Sequence, residues 1–246
     1  MHHVPERIVL VTGASRGIGA EVARQLADPN THVIVNYREK AKRAEDIAEA
    51  VRDAGGHAST LRADISDEAD ATAMMESIET RFGRLDALVL NASGGLEMGA
   101  DPGYAMRLNR DAQRRLAQLA VPMMPVDGRI VFVTSHQAHF FPNKAVPKGY
   151  SAVAASKRAG ETALYAMRAV FSRAGVRLTV VSGDMIDGTI IVRLLQRRDP
   201  DAVKARRVHG TLPTVTEFSG AIVSSVTMPS PPGIVYVGGA DYLMTA

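Results

Sequence analysis

Short apolar runs alternate along the chain with longer segments in which apolar residues recur at helical spacing. The runs predict buried strands, and the longer segments predict helices that cover both faces of a parallel sheet. The predicted strands are Arg7–Thr12, His32–Asn36, His57–Arg62, Asp86–Leu90, Arg129–Thr134, Val176–Val181 and Gly233–Val237. Because crossovers between parallel strands are right-handed, this order predicts an α/β, doubly wound, seven-stranded sheet of the Rossmann type. No repeat or linker divides the sequence, so we expect residues 1–246 to form a single domain.

Local signals mark the ends of two predicted helices. Gly55 and Gly56 end one helix, because glycine adopts the left-handed conformation beyond a helix terminus without strain. Thr214 and Glu217 have the spacing of a capping box and predict a helix start. The predicted helical segments are Gly17–Ala27, Glu39–Ala54, Asp67–Arg81, Gly103–Val121, Ser151–Arg173, Thr189–Val208 and Val215–Thr227.

Composition narrows the class of protein. Hydrophobic residues make up 46% and charged residues 22% of 246 residues, as in ordinary globular domains. The net charge of +3 disfavours a dedicated nucleic-acid binder. The absence of cysteine excludes disulfides, thiolate nucleophiles and cysteine-ligated metals. With neither an apolar leader nor an apolar run of membrane-spanning length, we expect a cytoplasmic protein without membrane association.

A glycine-rich turn, Thr12–Gly19, follows the first predicted strand directly and spaces its glycines as GxxxGxG. Such glycines let the backbone turn tightly and approach a pyrophosphate, which then lies on the N-terminus of the next helix. Strand, turn and helix occur in the order that a dinucleotide site requires. The segment therefore predicts dinucleotide binding rather than a plain strand-to-helix turn.

With this turn the chain resembles the short-chain dehydrogenases/reductases over nearly its whole length, and most closely their 3-oxoacyl-carrier-protein reductase-like branch. The landmarks of the resemblance occur in the family's order: Thr12–Gly19, Ala63-Asp64-Ile65, Asn91-Ala92, Leu108-Asn109, Val133-Thr134-Ser135, Ala155-Ser156-Lys157 and Tyr236-Val237-Gly238-Gly239-Ala240. The resemblance implies a nicotinamide dinucleotide cofactor, with Asp64 near the adenine and Asn91 beside the cofactor channel. It also implies a homodimer or homotetramer.

The choice between the two nicotinamide dinucleotides depends on charge. The second strand ends in Asn36-Tyr37-Arg38, without the carboxylate that holds a ribose 2′-hydroxyl. Arg16 and Arg38 suit a 2′-phosphate, unless both are merely solvated, so we expect NADP(H). The resemblance and these charges together give the cofactor-binding candidates Gly13, Ser15, Arg16, Gly17, Ile18, Gly19, Asn36, Arg38, Asp64, Ile65, Asn91, Ala92, Lys157, Gly183 and Thr189.

The catalytic set of the family is matched in part. The family uses a serine that holds the substrate carbonyl, a tyrosine that transfers a proton, a lysine that binds the ribose, and an asparagine beside it. By resemblance these are Ser135, Lys157 and Asn109, but Val153 stands four residues before Lys157, where the family has its tyrosine. Valine neither donates nor accepts a proton.

Three kinds of replacement are open. Tyr150 precedes Lys157 by seven residues and shares its helix face, although a regular helix separates them by a rise of ~10 Å. Gly149 indicates that the chain is still a loop there, which frees the ring to turn inward. His136 and His139 follow Ser135, and imidazole is a suitable acid near neutral pH. Water or Ser135 itself is the third replacement, and the remaining hypothesis is that no donor exists.

The segment after the sixth strand also departs from the family. Asp187 occupies the place of the usual threonine, with Thr189 two residues later, although the backbone after Gly183 can still bind the nicotinamide carboxamide. Asp184 and Asp187 lack a supporting cluster, so we expect no metal. The resemblance implies a substrate lid at about 184–210. Its basic residues either attract an anionic carrier such as coenzyme A or are simply solvated.

Two functions remain in competition. The leading expectation is an NADP(H)-dependent oxidoreductase that moves hydride between nicotinamide and a carbonyl/alcohol pair, on a small-molecule carbonyl or acyl-thioester substrate, with Tyr150 as the favoured donor. The alternative is a catalytically silent NADP-binding sensor or partner subunit, which Val153 motivates.

Overall fold

A single sheet organises the chain. The structure, a computed structural model, describes residues 6–96, 101, 103–208, 210–239 and 243, so Ala240 of the terminal landmark and His209 of the predicted lid lie outside the described residues. Its strands are all parallel, in the order β3-β2-β1-β4-β5-β6-β7. They are β1 Arg7–Val11, β2 Thr31–Tyr37, β3 His57–Arg62, β4 Ala87–Leu90, β5 Arg129–Ser135, β6 Arg177–Gly183 and β7 Ile234–Val237. The predicted α/β, doubly wound, seven-stranded sheet is confirmed.

Both faces of the sheet are buried, as continuous apolar strands require. Successive residues of a strand point to opposite faces. In β1, Ile8 and Leu10 join one hydrophobic core, and Val9 and Val11 join the other. Truncating a fully buried leucine such as Leu10 to alanine would cost about 2–5 kcal/mol of stability.

Helices fill the connections between strands. Asp67 caps one of them by accepting from the Asp70 backbone N–H, and the predicted capping box of Thr214 and Glu217 is present. The helices are α1 Gly17–Gln25, α2 Ala41–Asp53, α3 Glu68–Phe82, α4 Tyr104–Met106, α5 Gln113–Ala120, α6 His136–His139, α7 Ser151–Ala166, α8 Arg168–Ala174, α9 Ile190–Arg198, α10 Pro200–Val208 and α11 Val215–Thr227. None of the described helices combines the length and apolarity that a membrane crossing needs.

The predicted helix Gly103–Val121 is not uniform. Between α4 and α5 the segment Arg107–Ala112 is a π-helix, and Asn109 lies within it. On the facing helix α7, a Cβ at Gly160 would lie 2.0 Å from the carbonyl oxygen of Asn109. Glycine is therefore required where α7 crosses the π-helix.

Two other predicted helical segments are divided. The predicted helix Ser151–Arg173 ends at Ala166 and resumes as α8 after Met167, and nothing in the local sequence signals this break. The basic stretch Thr189–Val208 forms α9 and α10.

The register of the strands places the site. Val11 pairs with Val89, which pairs with Val131, and Ser135 pairs with Gly183. The carboxyl ends of these strands therefore meet along one edge. The chain reverses its winding direction between β1 and β4, and a crevice opens at that switch point in doubly wound sheets.

Candidate active site

A cavity of about 840 Å³ runs along the carboxyl edge of the sheet, from the glycine turn to α9. The cofactor-binding candidates that line it are Gly13, Ser15, Arg16, Gly17, Ile18, Asn36, Arg38, Asp64, Ile65, Asn91, Ala92, Lys157 and Thr189. Gly19 and Gly183 are not among the described lining residues. A Cβ at Gly19 would lie 2.5 Å from the Asn91 amide nitrogen, and one at Gly183 would lie 2.5 Å from the Phe218 ring. These two glycines therefore permit close packing behind the wall.

The glycine turn has the backbone that a phosphate cradle needs. Gly13 and Gly17 adopt φ angles of 63° and 59°, in the left-handed region that favours glycine. Helix α1 begins at Gly17, so its free N–H groups and the positive end of its dipole are presented at the turn. This arrangement is suited to a pyrophosphate.

Asn36, at the end of β2, holds the turn in place. Its side-chain oxygen accepts from the Gly13 N–H at 3.1 Å, and its backbone oxygen accepts from the Ala14 N–H at 2.8 Å. Its amide nitrogen donates to the carbonyls of Leu61 and Ala63, both at 3.3 Å. The Asn36 side chain is thus committed to the protein and positions the turn.

Asn91 connects the ends of β1 and β4. Its amide donates to the carbonyl of Thr12 at 2.9 Å. The Thr12 hydroxyl in turn accepts from the Asn91 and Ala92 N–H groups at 3.0 and 3.1 Å. These bonds fix the two sides of the crevice relative to each other.

Basic side chains gather at the β2 end of the cavity. Arg16, Lys40 and Arg43 line it and form no ion pair with any residue that the structure describes. Arg38 also lines it, and its guanidinium donates to the Tyr104 hydroxyl at 2.7 Å across the cavity. The group offers several positive charges to one anionic ligand.

Two carboxylates border this basic group. Glu39 pairs with Arg38 at 2.9 Å, and Asp64 approaches the same guanidinium at 4.0 Å. One Asp64 oxygen accepts from the backbone N–H and the hydroxyl of Ser66, at 2.9 and 2.6 Å. These bonds hold Asp64 at the cavity wall beside Ile65.

The chemical end of the cavity is built around Ser135 and Tyr150. Ser135 ends β5 and caps α6, where its Oγ accepts from the Ala138 N–H at 3.3 Å. The Tyr150 hydroxyl lies 3.3 Å from that Oγ. Tyr150 is the residue immediately before α7, and its N–H donates to the carbonyl of Pro147 in a turn that contains Gly149 at φ 76°. The chain is therefore still a turn at Tyr150, and the ring reaches inward.

Val153 and Lys157 line the same cavity as Tyr150. The Tyr150 ring and Val153 pack together in one buried cluster with Ala138 and Ala154. Burial raises the pKa of Tyr150, with a smaller opposing effect from the hydrogen bond to Ser135. Burial also lowers the pKa of Lys157 to about 8. At neutral pH the phenol therefore keeps its proton, and the lysine is charged but readily deprotonated.

Asn109, which lies in the π-helix, connects two parts of the site by hydrogen bonds. Its amide donates to the Gly94 carbonyl at 2.9 Å and to the Ser156 hydroxyl at 3.0 Å. Ser156 directly precedes Lys157, and its hydroxyl donates to the carbonyl of Val153 at 2.9 Å. The asparagine side chain thus ties the loop after β4 to the part of α7 that presents the lysine.

The two histidines considered as proton donors are engaged elsewhere. His136 contacts the Ser182 hydroxyl at 2.8 Å and the Gly238 carbonyl at 3.0 Å, and burial lowers its pKa. His139 contacts a Glu161 oxygen at 2.9 Å and the Tyr236 hydroxyl at 3.0 Å. Neither is among the described residues that line the cavity. Of the three side chains proposed to replace the tyrosine, only Tyr150 approaches Ser135.

Comparison with known proteins identifies the family of the chain. Residues 7–199 match the family described as short chain dehydrogenase. The chain belongs to the short chain dehydrogenase family.

Several relatives of the chain in this family are reductases by name. It is 33% identical over 189 residues to 1-cyclohexenylcarbonyl-CoA reductase of Streptomyces collinus, covering 74% of this chain and 65% of that protein. It is 33% identical over 162 residues to a probable tetrahydroxynaphthalene reductase of Zymoseptoria tritici, covering 63% and 59%. The alignments thus span less than two thirds of the length of either relative.

Solved structures show the same fold. The angucycline C-6 ketoreductase LanV, solved with bound NADP, superposes with a TM-score of 0.79 at 24% identity, covering 97% of this chain and 98% of that one. The promiscuous reductase LugOII gives a TM-score of 0.80 at 24% identity, covering 96% and 98%. The fold shared with these two reductases therefore extends over nearly the whole chain.

The predicted lid of this short chain dehydrogenase is held by ion pairs. Asp184 is buried in the cavity wall and pairs with Arg206 of α10. Asp187, which is exposed, pairs with Arg207 at 3.2 Å. Thr189 caps α9 by accepting from the backbone N–H of its third residue at 3.3 Å. Among the described residues, no group of three or more histidines or carboxylates is arranged to hold a metal.

Several polar residues of the cavity wall were not predicted as site residues from the sequence, among them Lys40, Arg43, Tyr104 and Gln137. Lys40 and Arg43 are three residues apart and follow β2, so a search for basic residues at helical spacing after that strand would have found them. Tyr104 and Gln137 carry no such signal, since their inward direction depends on how α4 and α6 dock.

Proposed function

We propose that this protein is an NADP(H)-dependent oxidoreductase that moves hydride between nicotinamide and a carbonyl/alcohol pair, with Tyr150 as the proton donor. The observation that carries the proposal is the Tyr150 hydroxyl, 3.3 Å from Ser135 Oγ, in a cavity that Lys157 also lines. The relatives named as reductases and the NADP-bound structural neighbour support it. The substrate is a small-molecule carbonyl or an acyl thioester, and the resemblance to carrier-protein reductases favours a homodimer or homotetramer.

The described residues fit the cofactor. The turn at Gly13 and Gly17 and the N-terminus of α1 would hold the pyrophosphate. Asp64 and Ile65 would border the adenine, and the Lys157 ammonium, which has no hydrogen-bond partner among the described residues, would bind the nicotinamide ribose. When bound, the cofactor supplies or accepts the hydride.

The basic group favours NADP(H) over NAD(H). A 2′-phosphate carries up to two negative charges, and guanidinium groups bind it through forked, charge-assisted hydrogen bonds. Arg16, Lys40 and Arg43 stand unpaired within the described residues, ready for that contact. Arg38 would exchange part of its bonding to Tyr104 and Glu39 for the phosphate.

Ser135 and Tyr150 would bind the substrate carbonyl and supply the proton. The substrate carbonyl oxygen would accept hydrogen bonds from the Ser135 and Tyr150 hydroxyls, which polarise the carbonyl for hydride attack. As negative charge develops on that oxygen, the O–H bond of Tyr150 breaks and its proton forms the alcohol. The phenolate regains a proton from water. Burial raises the pKa of Tyr150, so the phenol keeps its proton at neutral pH and is in the acid form that carbonyl reduction requires.

One observation favours the alternative of a catalytically silent NADP-binding sensor or partner subunit. Val153, four residues before Lys157, presents an apolar side chain to the cavity where the family has its tyrosine. Steady oxidation of NADPH by the protein with any ketone would exclude this alternative.

The test of the proposed function combines binding and turnover. Calorimetry should show tighter binding of NADPH than of NADH, and Arg16→Ala should reduce that preference about tenfold or more, the value of a lost charge-assisted hydrogen bond. Purified protein should oxidise NADPH when given a panel of aliphatic, cyclic and aromatic ketones. Equal affinities for both dinucleotides would contradict the assignment of NADP(H), and tight NADPH binding without turnover on any ketone would favour the silent alternative.

A further inference from the structure

Gln137 is a buried amide in the wall of the cavity that no part of the proposed mechanism uses. Only 6% of the residue is exposed, and its side chain makes no hydrogen bond with any residue that the structure describes. Buried polar side chains almost always have a partner, because an amide that loses water without replacing its hydrogen bonds destabilises the fold. The polar atoms of Gln137 are not among the fully enclosed unpartnered atoms of the described residues, so the amide is open to the cavity and can bind a group that enters it.

The position of Gln137 on α6 explains why it faces the cavity. Helix α6 spans only His136–His139, and its two histidines lie one turn apart on a face that contacts β6, β7 and α7. Residues i and i+3 share a helix face, whereas the intervening residue points elsewhere. Gln137 therefore points away from those contacts and into the cavity. Ser135 caps the same helix two residues earlier, which places the two Cα atoms roughly 6 Å apart.

The contrast with Gln113 shows what a structural glutamine looks like in this chain. Gln113 is 1% exposed, and its amide nitrogen donates to the carbonyls of Ala92 and Leu108 at 3.1 and 2.9 Å. Both glutamines are buried. The side-chain oxygen of Gln113 has no partner within the described residues, but its nitrogen is bonded to the fold, whereas neither polar atom of Gln137 is bonded to a described residue. Gln137 is thus free for a ligand.

We propose that Gln137 is a specificity-determining residue that binds a second oxygen of the substrate, a hydroxyl or carbonyl group close to the reacting carbonyl. This inference rests on the proposed oxidoreductase function. A carboxamide both donates and accepts, so it matches a neutral hydroxyl or carbonyl group. Several other residues of the cavity wall are apolar, among them Leu96, Met185, Val192 and Leu195. The preferred substrate class is therefore a ketone with one nearby oxygen function on an otherwise apolar body.

The cofactor is a less suitable partner for this amide. The proposed contacts of the nicotinamide carboxamide are the backbone after Gly183 and the Thr189 region, on the β6 side of the cavity. Gln137 instead follows Ser135, which would hold the substrate carbonyl. If Gln137 bound the cofactor, the Gln137→Leu variant would have a changed affinity for NADPH, which calorimetry measures.

The first test is stability and needs no substrate. Gln137→Leu keeps the size of the side chain and removes its polar atoms, so its midpoint of urea unfolding should equal or exceed that of the wild type. The matched variant Gln113→Leu should unfold at a lower urea concentration, because it leaves two backbone carbonyls without donors. An equal loss of stability in the two variants would mean that Gln137 has a structural partner, which would overturn the proposal.

The second test measures selectivity. Cyclohexanone, 2-hydroxycyclohexanone and 3-hydroxycyclohexanone are compared on the NADPH-loaded protein by turnover and, independently, by calorimetric binding to the NADP⁺-loaded protein. The wild type should prefer one hydroxylated ketone about tenfold over cyclohexanone, and Gln137→Leu should bring that ratio near unity. The proposal is overturned if Gln137→Leu keeps the preference for the hydroxylated ketone over cyclohexanone, or if the wild type shows no such preference. It is also overturned if Gln137→Leu changes only the affinity for NADPH.

The two readouts separate this inference from the proposed function. If no ketone is turned over but the binding preference exists and disappears in Gln137→Leu, the oxidoreductase function fails while the assignment of Gln137 stands. If ketones are turned over but without any dependence on Gln137, the function stands and the assignment of Gln137 fails.

Discussion

Replacing Tyr150 by phenylalanine removes one hydroxyl from the centre of the site and leaves the ring in its buried cluster with Ala138, Val153 and Ala154. A positioned general acid contributes about 10²–10⁴ in rate. We therefore expect kcat for ketone reduction to fall by about 10²–10⁴, equivalent to ~2.7–5.5 kcal/mol of transition-state stabilisation. The lost hydrogen bond to Ser135 is long, at 3.3 Å, so the free energy of unfolding should change by less than about 1.5 kcal/mol.

The assay follows NADPH oxidation under single-turnover and steady-state conditions, with urea unfolding of the same samples. The matched control is Tyr236→Phe, which also removes a tyrosine hydroxyl, one that contacts His139 rather than Ser135. We expect the control to turn over at the wild-type rate. A Tyr150→Phe protein that is folded, binds NADPH normally and keeps kcat within about threefold of the wild type would refute the role of Tyr150, since a positioned acid contributes far more.

Three further predictions concern the site and a partly buried histidine. Ketone reduction should decline as pH rises through about 8, where the Lys157 ammonium loses its proton, and Lys157→Arg should flatten this limb of the pH–rate profile because guanidinium stays charged. Adding Val153→Tyr to Tyr150→Phe returns a phenol to the position four residues before Lys157, and steady-state assays should show at least roughly tenfold recovery over the single variant. Burial, assisted by the charge of Arg81, lowers the pKa of His32 to about 4, so His32 is neutral in the folded protein at a pH where the unfolded chain binds a proton. Stability should therefore fall between pH 6.5 and pH 4. Because the ring is only partly buried and solvent screens part of the effect, urea unfolding of His32→Gln should show about 1 kcal/mol less loss between pH 7 and pH 5 than the wild type.

The fold could be predicted because its determinants are local. Apolar strands such as Arg129–Ser135 and the glycine turn before α1 carry their pattern within a few residues, and parallel order follows from alternation with helices. The π-helix around Asn109 could not be predicted, because it depends on the approach of Gly160 from α7, about 50 residues along the chain. The helix propensity of one segment does not show how closely a second helix will pack against it.

Site residues could be predicted from the sequence where the type of residue alone indicates its role. They could not be predicted where the role depends on the direction in which the side chain points. Arg16, Ser135 and Lys157, which the sequence singled out, all line the cavity, while their roles remain a prediction. The sequence left Tyr150 and the two histidines as competing proton donors, because a helix start and a short turn each allow either direction. Only the docking of α6 against β6 and β7 turns the histidines away, and the same docking turns Gln137 inward.

The proposed mechanism depends on Tyr150 taking the place of the family's tyrosine at the substrate carbonyl. A crystal structure of the protein with NADP⁺ and a bound ketone would show whether it does. We expect the ketone oxygen within about 2.6–3.2 Å of both Ser135 Oγ and the Tyr150 hydroxyl. A ketone oxygen bonded to Ser135 alone, with Val153 filling the space beside it and the Tyr150 ring turned away, would refute the role of Tyr150.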